Sequence, residues 1–159
     1  PVLRRSLEVT FRIVGQIGDR DAERLRQYEG VEVTGAVPSI PDAVADARAG
    51  VCPVRIGAGV QNKVLEYMAL GLPAVVSQMG LEGLDAVPDE DLLVADTTEQ
   101  YLKCVSDLWK DVSLRHQLAR NALSYVKRNH DWPVRLGPFL EYVNEPAARS
   151  ARDNRDFDH

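Results

Sequence analysis

A chain of 159 residues with 45% hydrophobic and 27% charged side chains has the length of one domain and the composition of an ordinary globular protein. That excludes disorder, a coiled coil or a fibrous repeat as its main state. A formal net charge of −5 with a pI near 5.2 argues against nucleic acid or an anionic membrane as a general partner, because such binding runs on clustered Lys and Arg.

Cys52 and Cys104 stand far apart and in no CxxC or Cys/His pattern, so both read as reduced thiols rather than a disulfide or a zinc site. No apolar run reaches the ~18 residues of a membrane span. The opening "PVLRRSLEV" has no signal-peptide apolar stretch, so the sequence reads as cytoplasmic. It also starts without Met and in mid-pattern, as a piece of a longer protein would.

Along the chain, "VTFRIVG" (9–15) is rich in β-formers and ends at glycine, and "DRDAERLRQYEG" (19–30) opens with carboxylates and closes with Gly30 as a helix should. "VEVTG" (31–35) predicts a second strand, followed by an N-cap at Ser39 and a helix over "IPDAVADARAG" (40–50). "VCPV" (51–54) predicts a third strand, "VQNKVLEYMALG" (60–71) a third helix and "PAVVS" (73–77) a fourth strand. A short edge strand over "DLLVAD" (91–96) precedes two helices, 98–111 and 113–129, capped by Thr97 and Ser113. Residues 131–145, aromatic with two prolines, predict a kinked helix, and 146–159, balanced in charge and poor in apolar residues, predict a flexible tail. This alternation of strands and helices predicts an α/β fold: a Rossmann-like parallel sheet with helices on both faces.

In such sheets ligands bind at the carboxyl ends of the strands, which directs attention to "RIGAG" (55–59) between the third strand and the third helix. Two glycines in three residues permit positive φ and close backbone approach, and a helix N-terminus offers unpaired N–H groups suited to a phosphate. On a helical wheel over 60–70, Val60, Val64, Leu65, Met68 and Ala69 share one side, and Asn62, Lys63 and Glu66 share the other. Glu66 falls roughly 10 Å along the axis from Gly59 at about 1.5 Å per residue, a span that a nucleoside diphosphate fits with its ribose on the carboxylate. The same residues have plainer readings. A Gly-x-Gly turn also serves as a tight connection, Lys63 and Glu66 form an i, i+3 surface pair, and Arg55 caps a strand end.

The stretch "PVRIGAGVQNKVLEYMALGLPAVVSQMGLEGL" resembles the donor-binding signature of GT-B glycosyltransferases, in particular the GT4-like group of retaining enzymes that build polysaccharides and glycolipids. The likeness runs from about residue 9 to residue 143 through "FRIVGQIGD", "VEVTGAV", "DEDLLVAD" and "DW". The resemblance implies the C-terminal half of a GT-B fold over residues 1–145, holding a nucleoside diphosphate sugar as donor substrate, with no further cofactor and no metal. It implies diphosphate contacts at Arg55, Gly57, Ala58, Gly59, Val60, Gln61 and Lys63, a ribose contact at Glu66, and a base-lining segment at Gly35, Ala36 and Val37. Trp132 would open the helix that crosses to the partner domain.

Two departures follow. The family's paired glutamates are spaced as Glu, seven residues, Glu, and the earlier position is Ala58. The domain's first strand and helix, with their basic residues, and the whole acceptor-binding N-terminal domain are expected elsewhere, as is any peripheral membrane association.

The implied reaction is retaining transfer of a hexose to a glycan, lipid or other acceptor, with this chain stabilising the leaving diphosphate and not expected to turn over alone. No general base is assigned; His116 and His130 read as surface or core residues, and Glu82, Asp85 and Asp89, which follow the fourth strand and could face the cleft, have loop solvation as their plainer reading. A nucleotide-sugar epimerase would need acid/base groups that are not found. A receiver-like signalling module would need an Asp at the end of the third strand, where Arg55 follows instead. A degenerate module that binds but does not turn over is the remaining alternative, and Ala58 speaks for it. Which nucleotide, hexose, acceptor and pathway are involved is not encoded legibly.

Overall fold

The computed structural model describes residues 7–57 and 59–130. Ala58, the kinked helix with Trp132 and the tail expected over 146–159 lie outside the described residues. The elements run β1 (Phe11–Val14), α1 (Asp19–Arg26), β2 (Val31–Gly35), α2 (Ile40–Ala43), β3 (Gly50–Cys52), α3 (Asn62–Ala69), β4 (Ala74–Val76), α4 (Gln78–Leu81), β5 (Leu93–Val94), α5 (Thr98–Lys110) and α6 (Val112–Asn129). Every strand pairing is parallel, as alternating strands and helices require.

The strands form two parallel pieces rather than one ladder: β1 with β2, and β3-β4-β5 in that order. Phe11 stands opposite Val31, and a bulge follows Ile13. Gly50 stands opposite Ala74, and Val75 opposite Leu93.

All three residues of β4 are buried, which is what a strand covered on both faces needs and why it reads as a bare apolar run. Alternation then splits its side chains. Ala74 and Val76 pack with Cys52, with Val64 and Met68 of α3, and with Ala122 and Tyr125 of α6. Val75 packs on the other side with Leu93, with Leu108 of α5 and with Leu118 of α6. Helices therefore cover both faces of this sheet, and α6 contributes to both clusters. None of the described helices is long and apolar enough to cross a membrane.

Three helices depart from expectation. α2 is one turn instead of a helix to residue 50, because Arg12 Nη1 donates to the Ala43 carbonyl at 2.8 Å and Val44 leaves helical geometry at ψ 9°. The carbonyl that would continue the helix is thus taken. α6 is capped by Asp111, which accepts from the Leu114 N–H at 2.9 Å, and not by Ser113. A carboxylate already placed one residue before the helix satisfies the same orphan donor. The short α4, capped by Ser77 accepting from the Gly80 N–H at 3.0 Å, is too short for helical periodicity to show. Caps at Ser39 and Thr97 are as expected, the latter as a full capping box with Gln100.

A Cβ at Gly50 would run into the Tyr67 ring, which lies across the start of β3. Gly50→Ala should therefore lower stability by about 1–3 kcal/mol, measured by urea unfolding; a change within ~0.5 kcal/mol, the range of inert surface substitutions, would contradict this packing. Thr97→Ala removes one arm of the capping box and should cost about 1 kcal/mol in the same assay.

Candidate functional site

The carboxyl ends of β3, β4 and β5 point to one edge, and a single side chain fixes how they end there. Ser77, only 5% exposed, donates through Oγ to the Val54 carbonyl at 2.6 Å and accepts from the Gly80 N–H at 3.0 Å. Its own N–H donates to the Cys52 carbonyl at 3.2 Å. The exit of β3 is thereby tied to the start of α4, and the loop over 55–61 departs from a defined point. A buried hydroxyl with donor and acceptor both used has its desolvation offset by its partners.

From that point the loop is open to solvent. Arg55, Ile56, Gly57, Gly59 and Val60 are all exposed, Ile56 at 93%. Gly59 has φ +79°, and a Cβ there would meet nothing within 4 Å. Both the left-handed backbone that favours glycine and the empty space above it are present at this residue. Gly57 is tighter, with a Cβ position 3.3 Å from both Gln61 Nε2 and Val54 Cγ1.

α3 starts at Asn62, two residues later than the wheel assumed. Val60 stays in the loop at 44% exposure, and Ala69 also faces outward. Val64 and Met68 are fully buried, so the apolar face is narrower than expected. Gln61 occupies the N-cap but makes no side-chain cap bond; its Nε2 donates to the Gly59 carbonyl at 3.3 Å instead. The first turn of α3 holds no carboxylate. Each of the other described helices has a side-chain cap, or, in α1, two aspartates in its first turn. Lys63 and Glu66 are exposed on the outer face of α3, and Glu66 sits about one turn beyond the helix start.

Two cavities open along the strand ends. The smaller, about 340 Å³, lies beyond β1 and β2 and is lined by Gln16, Ile17, Arg26, Gly35 and Ala36 among others. Two of the three residues expected to line a base, Gly35 and Ala36, therefore border a cavity, and Val37 does not. Gly35 turns the chain away from β2 at φ +72°. The larger cavity, about 620 Å³, lies beyond β3, β4 and β5, with Arg55, Ser77, Gln78, Glu82, Asp96 and Tyr101 in its walls. Among the described residues expected at the diphosphate, only Arg55 lines it. Gly57, Gly59, Val60, Gln61, Lys63 and Glu66 form the open loop and helix face instead.

Glu82, read as a loop carboxylate, lines the larger cavity, whereas Asp85 and Asp89 do not border it. Gln78 and Asp96 fall inside the quoted stretches but were not singled out, and Tyr101 falls outside them. The signal that points to Gln78 and Asp96 is positional, since they lie just beyond the carboxyl ends of β4 and β5, and Tyr101 follows in the first turns of α5. Asp96 Oδ1 accepts from the Gln78 N–H at 2.9 Å. Tyr101 reaches toward the Cys52 carbonyl at 3.5 Å, and burial, reinforced by the charge of Cys52 and Asp96, pushes its phenol up to about 12. Burial likewise raises the Cys52 thiol, so neither group ionises near neutrality. His130, at the end of α6, places Nε2 3.2 Å from the Tyr125 hydroxyl, which accepts from the Asp85 N–H at 3.0 Å.

With this geometry in view, comparisons with known proteins converge. The profile of the family described as "Glycosyl transferases group 1" matches residues 1–111. An uncharacterized 44.6 kDa protein from the cps region of Klebsiella pneumoniae is 24% identical over 138 residues, covering 82% of this chain and 36% of its own length. The Anabaena protein Alr3699/HepE, solved with UDP, superposes with a TM-score of 0.76 at 16% identity over 89% of this chain and 42% of its own. The same protein has been solved with UDP-glucose. The C-terminal domain of the group 1 glycosyl transferase family protein LpcC from Francisella tularensis superposes with a TM-score of 0.68 at 19% identity, over 82% of this chain and 74% of that domain. The chain thus spans little more than a third of the Klebsiella relative and less than half of the Anabaena one. Its fold is the α/β, Rossmann-like one of a GT-B C-terminal half, and by the family match over most of its length the chain belongs to the group 1 glycosyl transferases.

Proposed function

We propose that this chain is the donor-binding part of a retaining hexosyltransferase, and that it holds a nucleoside diphosphate sugar at the open start of α3. The observation that carries this reading is the helix start itself. α3 has neither a side-chain cap nor a carboxylate in its first turn, and it follows an exposed glycine loop whose Gly59 leaves space above the backbone. Helix N-termini of this kind favour a phosphate through unpaired N–H groups and the positive end of the helix dipole.

In this reading Gly57, Ala58, Gly59, Val60 and Gln61 bring backbone to the diphosphate, and Arg55 and Lys63 supply positive charge. Glu66, exposed on the outer face of α3, accepts the ribose hydroxyls. The base lies toward Gly35, Ala36 and Val37. As the glycosidic bond breaks, negative charge grows on the departing diphosphate, and the fixed N–H dipoles and nearby cations stabilise it without reorganising. The UDP and UDP-glucose complexes of the Anabaena structural relative agree with a nucleotide sugar as donor. The acceptor site belongs to the remainder of a longer, cytoplasmic protein, which also supplies the domain's first strand and helix and any contact with the membrane. A module that binds but does not turn over is the second reading, favoured by Ala58 in the place of the family's first glutamate.

Titrating the chain with UDP, GDP and ADP tests the site. One of them should bind weakly, and Glu66→Ala should weaken it about tenfold, the value of one hydrogen bond to a charged group, with an unchanged melting temperature. No binding at millimolar concentration, or a Glu66→Ala chain that binds like the parent, would refute the assignment. Gly59→Val, which forces a β-branched residue to positive φ and fills the space above the loop, should abolish binding while costing only about 1–2 kcal/mol of stability. Equal loss of both would mean that Gly59 serves the fold alone.

A further inference from the structure

We propose that the larger cavity receives the sugar of the donor, and that Glu82 and Asp96 are the carboxylates that hold its hydroxyls. The proposal rests on the donor reading for the diphosphate and adds to it where the sugar goes.

The continuity between the glycine loop and the larger cavity carries the argument. The smaller cavity lies beyond β1 and β2, the start of α3 follows β3, and the larger cavity lies beyond β3, β4 and β5. In the donor reading the diphosphate lies at the start of α3, beside a loop that also forms part of the larger cavity's wall. Arg55 belongs to both the loop and that cavity.

The turn carrying Glu82 also lies directly against the helix start. A Cβ on Gly83, where φ is +79°, would be 3.0 Å from Val60 Cγ2 and 3.3 Å from the Val60 nitrogen. The residue next to Glu82 thus packs against the loop in which Ala58 replaces the family's glutamate.

The chemistry of the walls fits a neutral polyhydroxyl better than a second phosphate. Glu82, Asp96, Arg55, Thr98 and Tyr101 all contribute to the same walls. Asp96 has Oδ1 engaged by the Gln78 N–H, which fixes its direction; among the described residues no group bonds Oδ2. An ionised carboxylate accepts from two vicinal hydroxyls at once. Val54 and Met79 supply apolar wall for the ring's C–H face. A volume of about 620 Å³ lies in the usual range of small-molecule sites.

The test compares each nucleoside diphosphate with its hexose conjugate (UDP with UDP-glucose, GDP with GDP-mannose, ADP with ADP-glucose) on the parent chain, Glu82→Gln and Asp96→Asn, with matched melting temperatures as the folding control. For the nucleotide that binds, the conjugate should bind more tightly than the bare diphosphate. Each variant should weaken the conjugate about tenfold and the diphosphate far less. A conjugate no tighter than its diphosphate in the parent, or variants that weaken both ligands equally or neither, would overturn the proposal. If no nucleotide binds the parent, the donor reading fails by itself, and the cavity is then read with free glucose and mannose by NMR. Shifts at Gln78, Thr98 and Tyr101 that disappear in both variants would support a sugar site, and no shifts would overturn it.

Discussion

The tie between Ser77 and the exit of β3 is the constraint on which the rest of the edge depends. β3 is only three residues long, too short to hold a direction by its ladder alone. Ser77 accepts from the Gly80 N–H, donates to Val54 and bonds Cys52 through its backbone, so β3, β4 and α4 end as one unit. Both the glycine loop and the turn carrying Glu82 spring from that unit, and Gly83 against Val60 closes the circuit. Losing the hydroxyl would leave buried polar groups at Val54 and Gly80 unsatisfied, a larger effect than the deletion of one bond suggests.

The two halves of the chain are held differently. From residue 7 to residue 48 only Ala22 and Val33 are buried, and neither hydrophobic cluster contains a residue before Ala49. β1 and β2 are held instead by polar contacts. Arg12 donates to Glu32 at 2.9 Å, to Asp46 at 2.6 Å and to the Ala43 carbonyl, and its hydrogen bonds to Asp46 and Glu32 raise its pKa above the usual arginine value. The same bond holds Asp46 below the ordinary carboxylate range. Its contribution to stability is therefore present above the unfolded carboxylate pKa and is lost as pH falls through the lower folded one. Parallel sheets normally depend on burial of both faces, so local opening is expected to start in this half.

How much of this was legible follows from the range of each signal. β4 and the buried face of α3 announce themselves in the residues, as a bare apolar run and as Val64 and Met68 one turn apart, because both signals are local. Caps are local too, and Ser39 and Thr97 were readable; Asp111 outcompeted Ser113 by standing two residues earlier, immediately before the helix, with a carboxylate. The truncation of α2 was not readable, since it depends on Arg12, 31 residues away from Ala43. Nor was the division of the sheet, because alternation specifies parallel strands but not which edges meet. The glycine loop was visible as a motif. Gln78, Asp96 and Tyr101 were not, because they share a cavity only through the parallel register of β3, β4 and β5.

The bare start of α3 makes a thermodynamic argument. An eight-residue helix is marginal by itself and relies on packing to form, so it can least spare the roughly 1 kcal/mol that a cap contributes. The chain has suitable residues and places them elsewhere: Ser39, Ser77, Thr97 and Asp111 each accept from a backbone N–H at their own helix. α1, which has no side-chain cap, still opens with Asp19 and Asp21, whose charge complements the helix dipole. At α3 the cap position holds Gln61, whose side chain turns back to Gly59. Its first turn carries Lys63, whose positive charge opposes the dipole there. Both choices disfavour the helix unless negative charge arrives from outside the chain. In the donor reading proposed above, a diphosphate would supply that charge, satisfy the orphan N–H groups and turn Lys63 from a liability into a partner. In that reading ligand binding and local ordering of α3 are thermodynamically linked.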